Sequence, residues 1–172
     1  MKFKSSYVVV DADVARSAGL AEHPISKSSR NLLRDIAESN LHIAFCPILL
    51  AEWKKHKSLM STRWLSSMIA RKKFHCSTPL MQAHIEIKNA NLSDKDQAIA
   101  QKDAHVVDIA ISTGNFIASN DKIARGVFIS VANNTNLLDR LMWIVPTEIN
   151  DQLIDILKNG GVVPAAWILR TN

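Results

Sequence analysis

Blocks of apolar and polar residues alternate along the chain in a way that predicts strands and helices in turn. Tyr7-Val8-Val9-Val10, with three β-branched residues in a row, reads as a strand buried on both faces, and it ends at once in Asp11-Ala12-Asp13-Val14. A polar connection through His23-Pro24 leads to Ser26-Lys27-Ser28-Ser29, the expected cap of a helix over Arg30 to Ala37 with Leu32, Leu33, Ile36 and Ala37 as its buried stripe. His42 to Cys46 is the second strand, and Pro47 opens the next helix, because a first helical position can spare the missing N–H. This β-α-β unit predicts parallel pairing and an α/β class. Two helices are expected in the middle section, one through Trp64 to Ile69 and one from Leu80 to Ile87. Ser93-Asp94-Lys95-Asp96 resembles a helix start, Gln97 to Gln101 a turn, and Asp103 onward a second helix closed by Gly114. Phe116 to Ser119 makes a third strand ending in Asn120-Asp121, followed by an amphipathic helix with Ile123, Val127, Phe128 and Val131 on its stripe. Leu141 to Val145 is a fourth strand, Thr147 caps a helix running to Lys158, and Pro164 to Arg170 adds a short edge strand.

Composition narrows the picture. A chain of 172 residues, 47% hydrophobic and 22% charged, suits one compact domain spanning residues 1–172. Five glycines, five prolines and no repeated period argue against linkers and solenoids. Met1-Lys2-Phe3-Lys4 and the two serines after it contain too short an apolar run for a signal peptide or membrane span, so a cytoplasmic protein is expected. Cys46 and Cys76 lie in no metal-ligand spacing and are assigned no role. The net charge of +5 is concentrated: Lys54, Lys55, His56, Lys57, Arg63, Arg71, Lys72, Lys73 and His75 fall in one region, interleaved with Trp53 and Trp64. That pattern suits contacts to nucleic-acid phosphates, with base stacking on the tryptophans; the plain alternative is a solvated helical face.

The acids carry the candidate chemistry. Asp11 ends a strand on the edge where open α/β sheets bind their ligands. Glu52 follows Ile48 and Leu49 by one helical turn, which predicts a carboxylate facing the sheet; a salt bridge to Lys55 or Lys57 is the structural alternative. Asp103 shares a stripe with Val106, Val107, Ala110 and Gly114 and is expected to face inward, or else to serve as a first-turn acid favoured by the helix dipole. Asp108 and His105 fall on the opposite face; Asp108 is expected at the surface, and His105 is read as a surface or hydrogen-bonding residue in preference to a ligand. Asp121 ends another strand. Four carboxylates gathered together repel one another unless a divalent metal compensates, and an all-oxygen set favours Mg2+ or Mn2+, which generates hydroxide for phosphate-ester hydrolysis without a nucleophilic side chain.

Four pieces of the chain resemble the PIN-domain nucleases: Val8 to Val14, Pro47 to Trp53, Lys102-Asp103-Ala104-His105 with its apolar helix, and Ile117 to Asp121. Their order and spacing agree from Tyr7 to about Val145, and the stretch after Val145 adds nothing. The resemblance implies a three-layer α/β/α sandwich with a mainly parallel sheet. It also implies a Mg2+- or Mn2+-dependent endoribonuclease that leaves a 5′-phosphate, with Asp11, Glu52, Asp103 and Asp121 as catalytic and metal-binding residues. Lys54, Lys55, Lys57, Arg63, Arg71, Lys72 and Lys73 are the expected RNA contacts. RNA is the expected partner; many members of that family are toxins neutralised by a small antitoxin, so an antitoxin partner and a homodimer stay open, and no membrane is expected. Asp13 departs from the small polar residue usual there, and its extra charge could assist a metal or hydrogen-bond the neighbouring turn.

Two rival readings remain. Asp11-Ala12-Asp13-Val14 also looks like the opening of a haloacid-dehalogenase-type phosphatase, but that chemistry needs a Ser or Thr at the second strand end, where Cys46-Pro47 stands, and leaves Glu52 and Asp103 unused. A PIN-like module that binds RNA or protein without catalysis would not need all four acids.

Overall fold

The computed structural model describes residues 2, 5–148 and 151–170. Its elements in chain order are β1 (Tyr7–Val10), α1 (Ala12–Ser17), α2 (Pro24–Glu38), β2 (His42–Phe45), α3 (Pro47–His56), α4 (Leu59–Ala70) and β3 (Phe74–Cys76). They continue as α5 (Gln82–Asn89), α6 (Asp94–Thr113), β4 (Phe116–Ala118), α7 (Lys122–Ala132), β5 (Met142–Ile144) and α8 (Asp151–Asn159). The strands form a five-stranded sheet in the order β3-β2-β1-β4-β5, with every pairing parallel. Helices flank this sheet as an α/β/α sandwich. Val8, Val9 and Val10 of the central strand are fully buried, as a β-branched strand covered on both faces must be.

Chain order reverses beside β1: β2 and β3 lie on one side of it, β4 and β5 on the other. Parallel strands point their carboxyl ends to one edge, and such a reversal opens a crevice there between β1 and β4. Asp11 extends the pairing one residue past β1, its N–H donating to the Ala118 carbonyl at 3.0 Å. At the opposite edge, α6 turns into β4 through Gly114, where a Cβ would stand 2.6 Å from the Tyr7 carbonyl oxygen; only glycine permits that approach.

Several elements differ from their sequence expectation. Helix α2 begins at Pro24, capped by His23, whose Nδ1 accepts from the Ile25 N–H at 3.4 Å, so Ser26 to Ser29 lie inside the helix and are not its cap. Proline at the first helical position presets the turn, and the serines tolerate it. The supposed polar connection after β1 contains α1, a short helix burying Ala12, Val14 and Ala15. Strand β3 is a three-residue edge strand, with His75 and Cys76 exposed, too short and polar for a period-2 signal.

Helix α6 is continuous over twenty residues from its Ser93 cap, because Gln97 to Gln101 contains no residue that stops a helix; Asp103 therefore sits mid-helix, far from the N-terminal dipole. On α7, Val127, Phe128 and Val131 are buried but Ile123 is exposed. Thr147 lies in a 3-10 turn (Pro146–Glu148), and the helix predicted after it is described over Asp151–Asn159, with residues 149 and 150 outside the described set. Met1, Phe3 and Lys4 at the N-terminus also lie outside it. The tail forms a 3-10 turn (Ala165–Trp167) and a single antiparallel bridge from Ile168 to Met142 in place of the expected edge strand; Pro164, with its fixed φ and no N–H, starts the turn. No helix among the described residues is long and apolar enough to cross a membrane.

Candidate functional site

A cleft of about 490 Å3 opens at the carboxyl edge of the sheet, lined by Asp11, Asp13, Glu52, Asp103, Asn120 and Asp121, with the cations Arg16 and Lys102 and the imidazole of His56 also on its wall. Five acids from four separate segments thus face one space. Asp11 caps α1 through its extended backbone but makes no side-chain cap bond, so its carboxylate is left for other partners. The Ser119 hydroxyl donates to Asp11 Oδ2 at 2.8 Å and lies 3.2 Å from Asp13 Oδ2. That same Oγ accepts the Asp121 N–H at 3.0 Å, and the Asn120 N–H donates to Asp13 Oδ1 at 3.2 Å. The turn after β4 therefore holds the two acids after β1. Asp121 caps α7, its Oδ1 accepting from the Ala124 N–H at 2.8 Å. From the other helices, Asp103 stands 3.6 Å from Lys102 Nζ, and Glu52 Oε2 accepts from His105 Nε2 at 3.1 Å.

The cleft is electrostatically costly when empty of cations. Burial lifts the Asp11 carboxyl above its usual range against the opposing pull of Ser119, and repulsion from Glu52 adds to the rise. Burial, then the neighbouring Asp11 charge, pushes Asp13 up to about 7. The same two causes in the same order push Asp103 up to about 6, and Asp103 in turn holds Lys102 above the ordinary lysine range. Three carboxyls resisting ionisation beside one another mark a place where positive charge is missing. Asn120 Oδ1 is buried without a hydrogen-bond partner at the same cleft, a further oxygen lacking a donor or cation. Among the described residues no three His, Cys, Asp or Glu side chains form a ready-made metal cage. The donor chemistry still fits a hard divalent cation: oxygens only, mostly carboxylate, at a solvent-accessible edge that leaves room for water. Asp11, Asp13, Glu52, Asp103, Asp121 and Asn120 are the residues that could hold it.

Glu52 is placed differently from its sequence expectation. The buried stripe of α3 is Leu49 and Trp53, while Ile48 is exposed, so Glu52 sits on the flank of that stripe at 35% side-chain exposure and lines the cleft without facing the sheet. It pairs with His105 and not with Lys55 or Lys57. His105 is buried and takes the hydrogen-bonding alternative, not the surface one, and Asp108 is fully buried, its Oδ1 accepting from the Ala83 N–H at 2.8 Å. Both were placed on a polar face because α6 was expected to be half-solvated; α3 and α5 cover that face. Trp53 and Trp64 are buried and cannot stack on bases: their indole N–H groups donate to the carbonyls of Val10 and Leu33, and the two rings stack on each other at 5.7 Å.

The basic residues divide between the two edges. Lys54, Lys55 and Lys57 are exposed around His56, which lines the cleft, and Arg63 is exposed on α4. Arg71 and Lys73 bond the carbonyls of Ala37 and Ser39, and with the exposed Lys72 they precede β3, on the edge opposite the acids. Ser119, Asn120, Arg16 and Lys102 were not singled out as site residues from the sequence, and His105 was weighed there and set aside as a ligand. A signal existed for Ser119 and Asn120, which stand at a strand end as Asp11 does. None existed for Arg16, whose helix was not expected.

Comparison with protein-family models and with curated proteins gives no match.

Proposed function

We propose that this chain is a Mg2+- or Mn2+-dependent ribonuclease of PIN-domain type, hydrolysing RNA phosphodiester bonds in the carboxylate cleft. The observation that carries this reading is the set of five acids from the β1–α1 junction, α3, α6 and the β4 turn lining one cleft at the sheet's point of reversal, with Asp11, Asp13 and Asp103 all raised above their usual range. Asp11, Glu52, Asp103 and Asp121 are assigned as the cation-holding acids, with Asp13 beside them. A bound divalent cation supplies Lewis acidity and a water of lowered pKa.

The chain's own groups do the rest. Ser119 fixes the direction of the Asp11 carboxylate, and its acceptance of the Asp121 N–H couples the turn after β4 to that acid. Arg16 and Lys102 bring positive charge into the cleft, where with the His56 side chain they can hold a phosphate against a wall of acids. Lys54, Lys55 and Lys57 extend that positive charge outward for the flanking phosphates. Cys46 is buried and accepts the Leu49 N–H at 3.4 Å, which puts no hydroxyl at the end of β2 for a phosphatase of the haloacid-dehalogenase type.

Incubation of the purified protein with end-labelled single-stranded RNA tests the proposal. Cleavage is expected with Mn2+ or Mg2+, and its loss with chelator or in Asp11→Asn. Intact RNA alongside hydrolysis of a small phosphate ester would replace the proposal with the phosphatase reading.

A further inference from the structure

We infer that His105 is a positioning residue for Glu52, a strut between α3 and α6 that aims the acid into the cleft; this deepens the nuclease reading and rests on it. Glu52 is a long side chain at 35% exposure, and holding such a side chain in one rotamer costs about 1–2 kcal/mol of entropy. Its own helix offers an alternative partner, since Lys55 lies three residues on, the spacing at which helical ion pairs form, and is exposed. The carboxylate instead meets His105, a residue buried on another helix and two positions from Asp103, with Nε2 at 3.1 Å from Oε2. Oε1 has no hydrogen-bond partner among the described residues, so the imidazole engages one oxygen and leaves the other to the cleft that Glu52 lines.

The packing singles out position 105. Its neighbours Ala104 and Val106 are buried apolar residues, and a leucine would satisfy packing alone at similar volume. The imidazole N–H is what leucine lacks. A ligand-orienting partner of this kind commonly sets metal affinity and rate by about 10–100-fold when removed.

His105→Leu and His105→Gln separate the roles, because glutamine places an N–H donor near the Nε2 position and leucine does not. Mn2+ affinity by calorimetry, kcat and KM for single-stranded RNA, and the chelated protein's unfolding midpoint are the readouts. His105→Leu is expected to weaken Mn2+ binding and lower kcat by about 10–100-fold with KM for RNA unchanged, and His105→Gln to restore most of both. The inference is overturned if leucine leaves both values at wild-type level. It is equally overturned if leucine and glutamine lose activity together in step with a fallen midpoint, since that marks a packing role. Wild-type protein that binds Mn2+ but leaves RNA intact would sink the nuclease reading while the affinity ratio of the variants still decides the role of His105. Absence of Mn2+ binding in the wild type would overturn both.

Discussion

Asp103→Asn should stabilise the metal-free protein at pH 8 while destroying its response to metal. Asp103 is 7% exposed, and its carboxyl is raised from 3.8 to about 6 by burial first and the Asp11 charge second. At about 1.4 kcal/mol per pH unit, that rise corresponds to about 3 kcal/mol of folding free energy withheld whenever the group is ionised in the folded state. The direction follows from proton uptake. Between pH 3.8 and about 6 the folded protein binds the proton more tightly than the unfolded chain, so the stability is fully present below 3.8 and lost as pH rises through 6. Asparagine has the same shape without the charge. Urea unfolding in chelator should therefore find Asp103→Asn more stable than wild type by about 2–3 kcal/mol at pH 8, with roughly half of that difference left at pH 5 and little at pH 4. Adding Mn2+ at about 1,000 times its Kd should reverse the order, because that stabilises the wild type by about 4.1 kcal/mol and the variant lacks the acid proposed to hold the ion. A variant no more stable than wild type at pH 8 in chelator would refute the claim that the cleft stores uncompensated charge.

Two other changes probe the surroundings of that charge. Ser119→Ala removes the donor to Asp11 and strands the Asp121 N–H, so the unfolding free energy at pH 8 should fall by about 1–3 kcal/mol, and the RNA cleavage rate should fall with it. Neutralising Lys54, Lys55 and Lys57 together should weaken RNA binding and flatten its dependence on salt by about 0.7 for each phosphate that is no longer neutralised, whereas Lys72→Ala on the opposite edge should leave the slope measured by titration unchanged.

Much of the architecture could be read directly from side-chain chemistry. Three adjacent valines admit few structures other than a buried strand, and an acid at its end had to fall on the carboxyl edge; β1 and Asp11 follow from that alone. Pro47 marked the start of α3, and the apolar stripe of Val106, Val107 and Ala110 carried Asp103 inward. What failed depended on neighbours distant in sequence. His105 and Asp108 looked solvent-facing because periodicity along one helix cannot register that α3 and α5 cover its second face. Glu52 was assigned to the sheet side from Ile48 and Leu49, yet only Leu49 is buried; Ile48 is exposed, since a stripe of Leu49 and Trp53 already fills the contact. The tryptophans among the lysines illustrate the same limit: their indoles are committed to Val10 and Leu33, a fact that only the packed core determines.

The central claim is that these acids direct water at an RNA phosphodiester, and the chemical ends of the products test it most directly. RNA cut by the wild-type protein in Mn2+ should carry a 5′-phosphate and a 3′-hydroxyl, and both the chelated protein and Asp11→Asn should leave it whole. Products ending in a 2′,3′-cyclic phosphate, or cutting that persists in chelator, would show the ribose hydroxyl as the attacking group and contradict the account.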